Sequence, residues 1–284
     1  MISIVMPTHR NMPLMYATLM SVFWQDYDDF EFVVVDASED GYFENECRRL
    51  FEATESLSCM KHKLSKLKMV RAEEKRTFPG AMKMLGFKNC VQDDDFVFFL
   101  DHDDLIGENI LRYIHLAKTQ YPSTEMISTN YSVFLYIDGR VYSSNGQFMG
   151  GVRCGDTLRV NFGNMYFSFQ EPLGVYKWYH PYLSCDCPKI LSKGAVRDRR
   201  YAFIEDTEIM DDSSFDVITH SLEETYIPSI GYYYVAYKDE GMRTTSFCGK
   251  EPSETAKKYR EYTNEYINLL NLMRYRKKRN ICSI

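Results

Sequence analysis

No run of about 18 or more apolar residues occurs in the sequence, so nothing in it reads as a membrane-spanning helix. The opening residues, MISIVMPTHR, form a short β-branched run rather than the apolar core of a signal peptide, and the sequence reads as cytoplasmic. A basic excess is missing too. Lys and Arg number 34 against 40 Asp and Glu, a formal net charge of −6. Without the positive field that non-specific nucleic-acid binders use, no nucleic-acid partner is expected. The eight cysteines are scattered, and the one close pair, Cys185-Asp186-Cys187, has neither the spacing nor the partner pair of a zinc or redox site. Internal repeats and low-complexity segments are absent. What remains is an ordinary globular composition, 45% hydrophobic and 26% charged over 284 residues, enough for one large domain or two halves sharing a cleft.

Ile2–Pro7 is a β-branched run, followed by a polar turn and an apolar set at helical spacing: Leu14, Ala17, Leu19, Val22 and Phe23. FEFVVVDASEDG predicts a second strand ending in Asp36, YFENECRRLFEAT a helix, LKMV a strand, and PGAMKMLGFKNCV another helix. DFVFFLDHDDLI predicts a fourth strand, and GENILRYIHLAKTQYP a helix that Pro122 ends. Near-continuously apolar strands alternating with helices are what a parallel sheet covered on both faces requires. Right-handed crossovers bring the carboxyl ends of such strands to one edge, so Thr8, Asp36 and Asp101 are expected to face one crevice. Beyond Tyr121 the pattern loosens. A hairpin turning at Asp138-Gly139 precedes an aromatic-rich, irregular stretch to about Cys187. GAVRDRRYAFIEDTEIMDDSSF then reads as a helix between loops and YIPSIGYYYVAY as a late strand, and the tail from Ser253 as an amphipathic helix ending in RYRKKR.

Asp101, His102, Asp103 and Asp104 put three carboxylates within four positions at the end of the fourth strand. Carboxylates so close oppose each other's ionisation unless a cation neutralises them. Hard divalent ions take carboxylate and phosphate oxygens together, which points to a metal-bound diphosphate, with Mn²⁺ or Mg²⁺ as the expected cofactor. A solvated turn or a helix N-cap has the same composition, and that alternative stands beside the first.

The segments ISIVMPTHRNMPLMYATLMSVFWQDYDDFEFVVVDASEDG and FPGAMKMLGFKNCVQDDDFVFFLDHDDLI resemble the inverting glycosyltransferase family 2 pattern. That pattern has an opening strand ending in Pro-Thr, a helix ending near Gln-x-Tyr, a strand ending in Asp, and an aspartate-rich DxD element. The resemblance implies an α/β GT-A fold, with a Rossmann-like, mostly parallel central sheet, helices on both faces and an acceptor-side α+β half. It implies transfer of a sugar from a nucleoside diphosphate sugar to a hydroxyl of a glycan or glycoconjugate, with inversion. Pro7, Thr8 and Arg10 would line the nucleotide pocket, and Asp36 would contact base or ribose. Ala37 stands where the family often has a second Asp, which leaves the base unspecified. Lys83 takes the place of a family Arg near the diphosphate. Asp101 and Asp103 match the DxD, with His102 between them and Asp104 beside them as a further metal ligand.

Inversion requires a base on the acceptor side. IEDTEI resembles the family's Glu-Asp element, which makes Asp206 the expected base and Glu205 the runner-up; acidic residues favouring a helix start are the alternative. His180 and His220 are candidate third metal ligands or phosphate ligands, and packed or surface histidines otherwise. Arg243, in GMRTTSF, is placed to close over the diphosphate if that loop behaves as in other GT-A enzymes. Trp178 and Tyr179, among the aromatics crowding 166–182, suit stacking on a carbohydrate acceptor, although core packing accounts for most aromatics. The basic end of the last helix could meet an anionic membrane surface peripherally, or serve as a helix C-terminus. These readings divide the chain into a donor half at 1–120, an acceptor and catalytic half at 121–250, and a terminal helix at 251–284. Retaining GT-A enzymes share fold and DxD. A phosphohydrolase would need its paired aspartates after the first strand rather than the fourth, and a binding module with a dead site would have no need of the intact aspartates.

Overall fold

The computed structural model describes residues 1–8, 15–38, 45–46, 49, 62–72, 78–137, 140–143, 151–154, 157–162, 165–170, 189–198, 203, 222, 224–237 and 254. The first part of the chain runs β1 (Ile2–Thr8), α1 (Met15–Phe23), β2 (Phe30–Asp36), β3 (Leu67–Arg71), α2 (Pro79–Lys88), β4 (Phe96–Phe99), β5 (Leu105–Ile106) and α3 (Ile110–Gln120). Then follow β6 (Met126–Ile137), β7 (Arg140–Ser143), β8 (Gly151–Cys154), β9 (Thr157–Phe162), β10 (Met165–Gln170), β11 (Lys189–Ser192), α4 (Lys193–Arg197) and β12 (Glu224–Tyr237). The main sheet has the order β3-β2-β1-β4-β11-β6-β12-β5, with β7 beside β6. β1, β2, β3, β4, β6 and β12 run one way and β5, β7 and β11 the other.

Alternation explains why the central strands are apolar at nearly every position. Ile2, Ile4 and Met6 of β1, with Phe32 and Val34 of β2 and Phe96 and Phe98 of β4, pack against Leu19, Val22 and Phe23 of α1 and Ile110, Leu111 and Ile114 of α3. Val5, Val33, Val97 and Phe99 pack on the other face against Phe87 of α2 and Ala195 and Val196 of α4. Each strand therefore buries both faces, and the helices lie on both sides as the run of β-branched residues requires. Pro79 begins α2, where its missing N–H costs nothing. Gly86 lets this helix approach β1 and β2 so closely that a Cβ would collide with Val5. The buried Cys90 thiol is pushed up to about 12 by desolvation and acts as an apolar group.

Two segments differ from the sequence reading. The stretch expected to be irregular contains a second, antiparallel sheet of order β10-β9-β8. Its registers pair Cys154 with Thr157 and Phe162 with Met165, so Gly155-Asp156 and Gly163-Asn164 are two-residue connections. Those dipeptides carry a hairpin signal that aromatic content obscures. β11 inserts antiparallel between β4 and β6, and with only Ile190 and Leu191 as apolar residues it is too short to read by periodicity. The predicted hairpin is present, with Ile137 opposite Arg140. Of the helix expected in 194–215, α4 covers the start, and the rest lies outside the described residues apart from Asp198 and Phe203. The terminal helix of 251–284 lies outside the described residues apart from Glu254, and among the described residues no helix is long and apolar enough to cross a membrane.

The amino edge of β4 is fastened by Lys193, fully buried at the start of α4. Its Nζ donates to Met1 O and Val91 O, each at 2.9 Å, and to Asp93 Oδ1 at 2.7 Å. Burial pushes the Asp93 carboxyl up, but hydrogen bonds from Lys193 and the Met1 ammonium outweigh it and hold it below the usual carboxylate range. A carboxyl depressed in the folded state contributes stability above its unfolded value of about 3.9, and that contribution is lost as pH falls through the folded value. Lys193→Met is expected to lower stability at neutral pH by about 2–3 kcal/mol, reduced from the fully buried case by the exposure of Asp93. Urea unfolding at pH 7 and pH 3 should show a smaller loss on acidification in this variant than in the parent protein.

Candidate active site

The carboxyl ends of β1 and β2 end level with each other, Thr8 opposite Asp36. Ala37 N–H donates to Thr8 O at 3.0 Å and Ala72 N–H to Asp36 O at 2.9 Å, extending the ladder one step past each strand. Asp36 Oδ1 accepts from Ser38 N–H at 2.9 Å and Ser38 Oγ at 2.6 Å, a turn that fixes the carboxylate at the strand end. β4 stops earlier. Leu100 N–H donates to Val5 O at 2.9 Å, after which the chain leaves β1. Pro7, two residues beyond Val5 on the same side of the strand, has no N–H to offer β4, so the gap opens where β1 could not have bonded anyway. His102 Nδ1 lies 3.3 Å from Pro7 O in that gap.

Each aspartate of the turn has its own environment. Asp101, with its side chain 43% exposed, pairs at 2.9 Å with the Nζ of Lys83, whose side chain is 3% exposed on α2. The same ammonium lies 5.0 Å from the centroid of the Phe203 ring, which meets Phe99 edge-on at 4.7 Å. Asp104 is buried and accepts a hydrogen bond from the Tyr232 hydroxyl on β12. Burial, then the Asp104 charge, push that phenol well above its ordinary range and keep it a neutral donor. A bulge in β12 around Pro228 and Gly231 shifts the register against β6 and sets Tyr232 opposite Ile106. Burial pushes the Asp103 carboxyl up and Asp101 adds to it, against partial relief from His102 and Lys83. Among the described residues no ion pair or side-chain hydrogen bond reaches Asp103.

Residues 3–127 match the family model for glycosyl transferase family 2. That match runs from β1 to the start of β6. Solved structures similar to this chain have the GT-A fold, and the chain shares it. Staphylococcus aureus TarS 1–349 matches at TM-score 0.56 and 19% identity over 82% of this chain and 60% of that one. TarS 1–349 in complex with UDP-GlcNAc matches at 0.56 and 20% over 86% and 61%. GalNAc-T7 with UDP, GalNAc and Mn²⁺ matches at 0.57 and 11% over 86% and 45%. The chain thus spans about three fifths of the TarS structures and under half of GalNAc-T7. No curated protein matches the sequence.

Within this fold the expected edge forms: Pro7, Thr8, Asp36, Lys83, Asp101, His102, Asp103 and Asp104 gather at or beside the carboxyl ends of β1, β2 and β4. Arg10, Trp178, Tyr179, His180, Glu205, Asp206, His220 and Arg243 lie outside the described residues. Among the described residues no three acidic, His or Cys side chains converge as a ready-made metal centre. The donors present suit a divalent ion that arrives with a diphosphate, since such ions are commonly held by one or two carboxylates plus phosphate oxygens. Asp101 and Asp103 would provide those carboxylates, and Asp104 is committed to Tyr232. Tyr232 and Phe203 were not singled out by sequence. Three consecutive tyrosines, 232–234, hide which one turns inward, and Phe203 is marked only by its place just before IEDTEI.

Tyr232→Phe would take one hydrogen bond from a buried carboxylate, and a loss of about 1–3 kcal/mol is expected in urea unfolding. An unchanged midpoint would mean that Asp104 does not depend on the phenol.

Proposed function

We propose that this protein is a divalent-metal-dependent, inverting glycosyltransferase that moves a sugar from a nucleoside diphosphate sugar to a hydroxyl of a carbohydrate or glycoconjugate acceptor. The observation that carries the reading is the acidic turn itself: Asp101 and Asp103 stand beside a buried lysine at the edge where Thr8 and Asp36 also end. TarS in complex with UDP-GlcNAc and GalNAc-T7 with UDP, GalNAc and Mn²⁺, proteins of the same fold, support a nucleotide-sugar donor and a divalent metal.

The chemistry follows from charge. As the bond between sugar and β-phosphate breaks, negative charge collects on the leaving diphosphate. Asp101 and Asp103 would hold a divalent ion, which would supply the neutralisation when bound. Lys83 adds a fixed positive charge beside Asp101, held in place by burial and by Phe203. Asp36 and Thr8 line the nucleoside side, with Arg10 and Arg243 as further donor contacts. On the acceptor side Asp206, with Glu205 as alternative, takes the proton of the attacking hydroxyl, and Trp178 and Tyr179 stack on the acceptor. Phe203 supports this assignment: it packs over Lys83, and Asp206 follows three residues later, a tether of at most about 11 Å. The donor half would comprise 1–120 and the acceptor half 121–250.

Incubation with a panel of nucleotide sugars and Mn²⁺ tests the reading, with donor hydrolysis or nucleotide-dependent thermal stabilisation as the positive result. Asp103→Ala is expected to abolish metal-dependent turnover, and full activity in that variant would remove the metal assignment. Asp206→Asn should lower kcat by a factor on the order of 10²–10⁴ while nucleotide affinity stays constant, because the base acts on the acceptor. A parallel fall in nucleotide binding would take the base role away.

A further inference from the structure

α1 contributes more to the acidic turn than apolar packing. Thr18 and Ser21, with Gln25 just past the helix end, recur at intervals of three and four residues and so share one stripe. Thr18 is fully buried and Gln25 is 2% exposed. Polar side chains in such positions cost free energy unless they are bonded. All three are answered by backbone groups between β4 and the first turn of α3. Thr18 Oγ1 donates to His102 O at 3.0 Å. Ser21 Oγ accepts from Ile106 N–H at 3.2 Å. Gln25 Nε2 donates to Gly107 O at 2.8 Å, and its Oε1 accepts from Leu111 N–H at 3.2 Å.

The stripe is braced from its own side as well. Ser21 Oγ donates to Thr18 O at 2.8 Å, and Gln25 Nε2 also donates to Ser21 O at 3.0 Å. The segment it holds has left the ladder with β1, and within the turn the backbone bond is Asp104 N–H to Asp101 O at 3.1 Å. Backbone groups that have lost strand partners need others, and the α1 side chains supply them.

We propose that Thr18, Ser21 and Gln25 are positioning residues that fix where the carboxylates of Asp101 and Asp103 stand, without touching the ligand. The role rests on the reading of this turn as the site of a metal-bound diphosphate. Thr18 is the most telling of the three, because its bond lands on His102, between the two aspartates. Losing it loosens the backbone that links the two carboxylates, whereas Ser21 and Gln25 secure the far end of the turn.

The test compares Thr18→Val, which removes the donor at similar size, with Thr18→Ser, which keeps it. Amide hydrogen exchange over Asp101–Gly107 in the full chain reads the restraint directly, and calorimetric titration with UDP or GDP in the presence of Mn²⁺ reads its consequence. Thr18→Val is expected to speed exchange in the turn while β1 and β2 stay protected, and to weaken Mn²⁺-dependent binding about three- to tenfold, the worth of one lost hydrogen bond. Thr18→Ser should restore both. Ser21→Ala serves as the second variant should Thr18→Val fail to fold, with faster exchange expected at Ile106. Unchanged exchange in the turn, faster exchange throughout the sheet, or a serine variant no better than valine would each overturn the proposal. If the parent protein binds neither UDP nor GDP with Mn²⁺, the donor reading falls, and the exchange comparison alone decides whether the stripe holds the turn.

Discussion

Repulsion among three carboxylates packed into one turn is the constraint around which the carboxyl edge of this sheet is organised. Left to itself, the cluster would either protonate or spread into water. Here the surrounding elements answer its members separately. Lys83 comes from α2 to Asp101, Tyr232 from β12 to Asp104, and α1 holds the connecting backbone. Asp103, between them, keeps a carboxyl that burial pushes up. Packing serves this arrangement: Gly86 brings α2 against β1 and β2, and the β12 bulge turns Tyr232 toward the loop.

β4 carries aspartate runs at both of its ends, and the two do different work. Asp93, Asp94 and Asp95 precede it, while Asp101, Asp103 and Asp104 follow it. Both groups meet a buried lysine from a neighbouring helix, Lys193 at the amino edge and Lys83 at the carboxyl edge. The amino-edge run is closed: Asp93 is bonded to Lys193, and Asp95 to Lys118 at 3.3 Å and to the Met1 ammonium at 2.8 Å. The carboxyl-edge run retains Asp103 without such a partner among the described residues. Composition does not separate these clusters. Strand direction does, since only one of them lies on the edge where open α/β sheets bind ligands.

Much of the donor half could be read from periodicity because its strands bury both faces and its helices show one apolar stripe each. β1, β2 and β4 and their three helices were therefore legible, and with them the gathering of Thr8, Asp36 and Asp101. The family resemblance added what periodicity lacks, a role to propose for Asp101 and Asp103. The residues that support the turn were not legible in the same way. Thr18, Ser21 and Gln25 look like the ordinary polar positions of an amphipathic helix, and only their burial against a loop gives them a role. Tyr232 belongs to a strand distant in sequence. β11, four residues long, and the small β8–β10 sheet depend on tertiary pairing, which a local pattern does not encode.

Lys193 and Phe203 grip β4 from its two ends. Lys193 is sunk at the amino edge among Asp93 and two carbonyls, and Phe203 rests against Lys83 and Phe99 at the carboxyl edge. A strand bolted at both rims has little freedom to tilt. β4 then acts as a fixed bench for the turn that follows it.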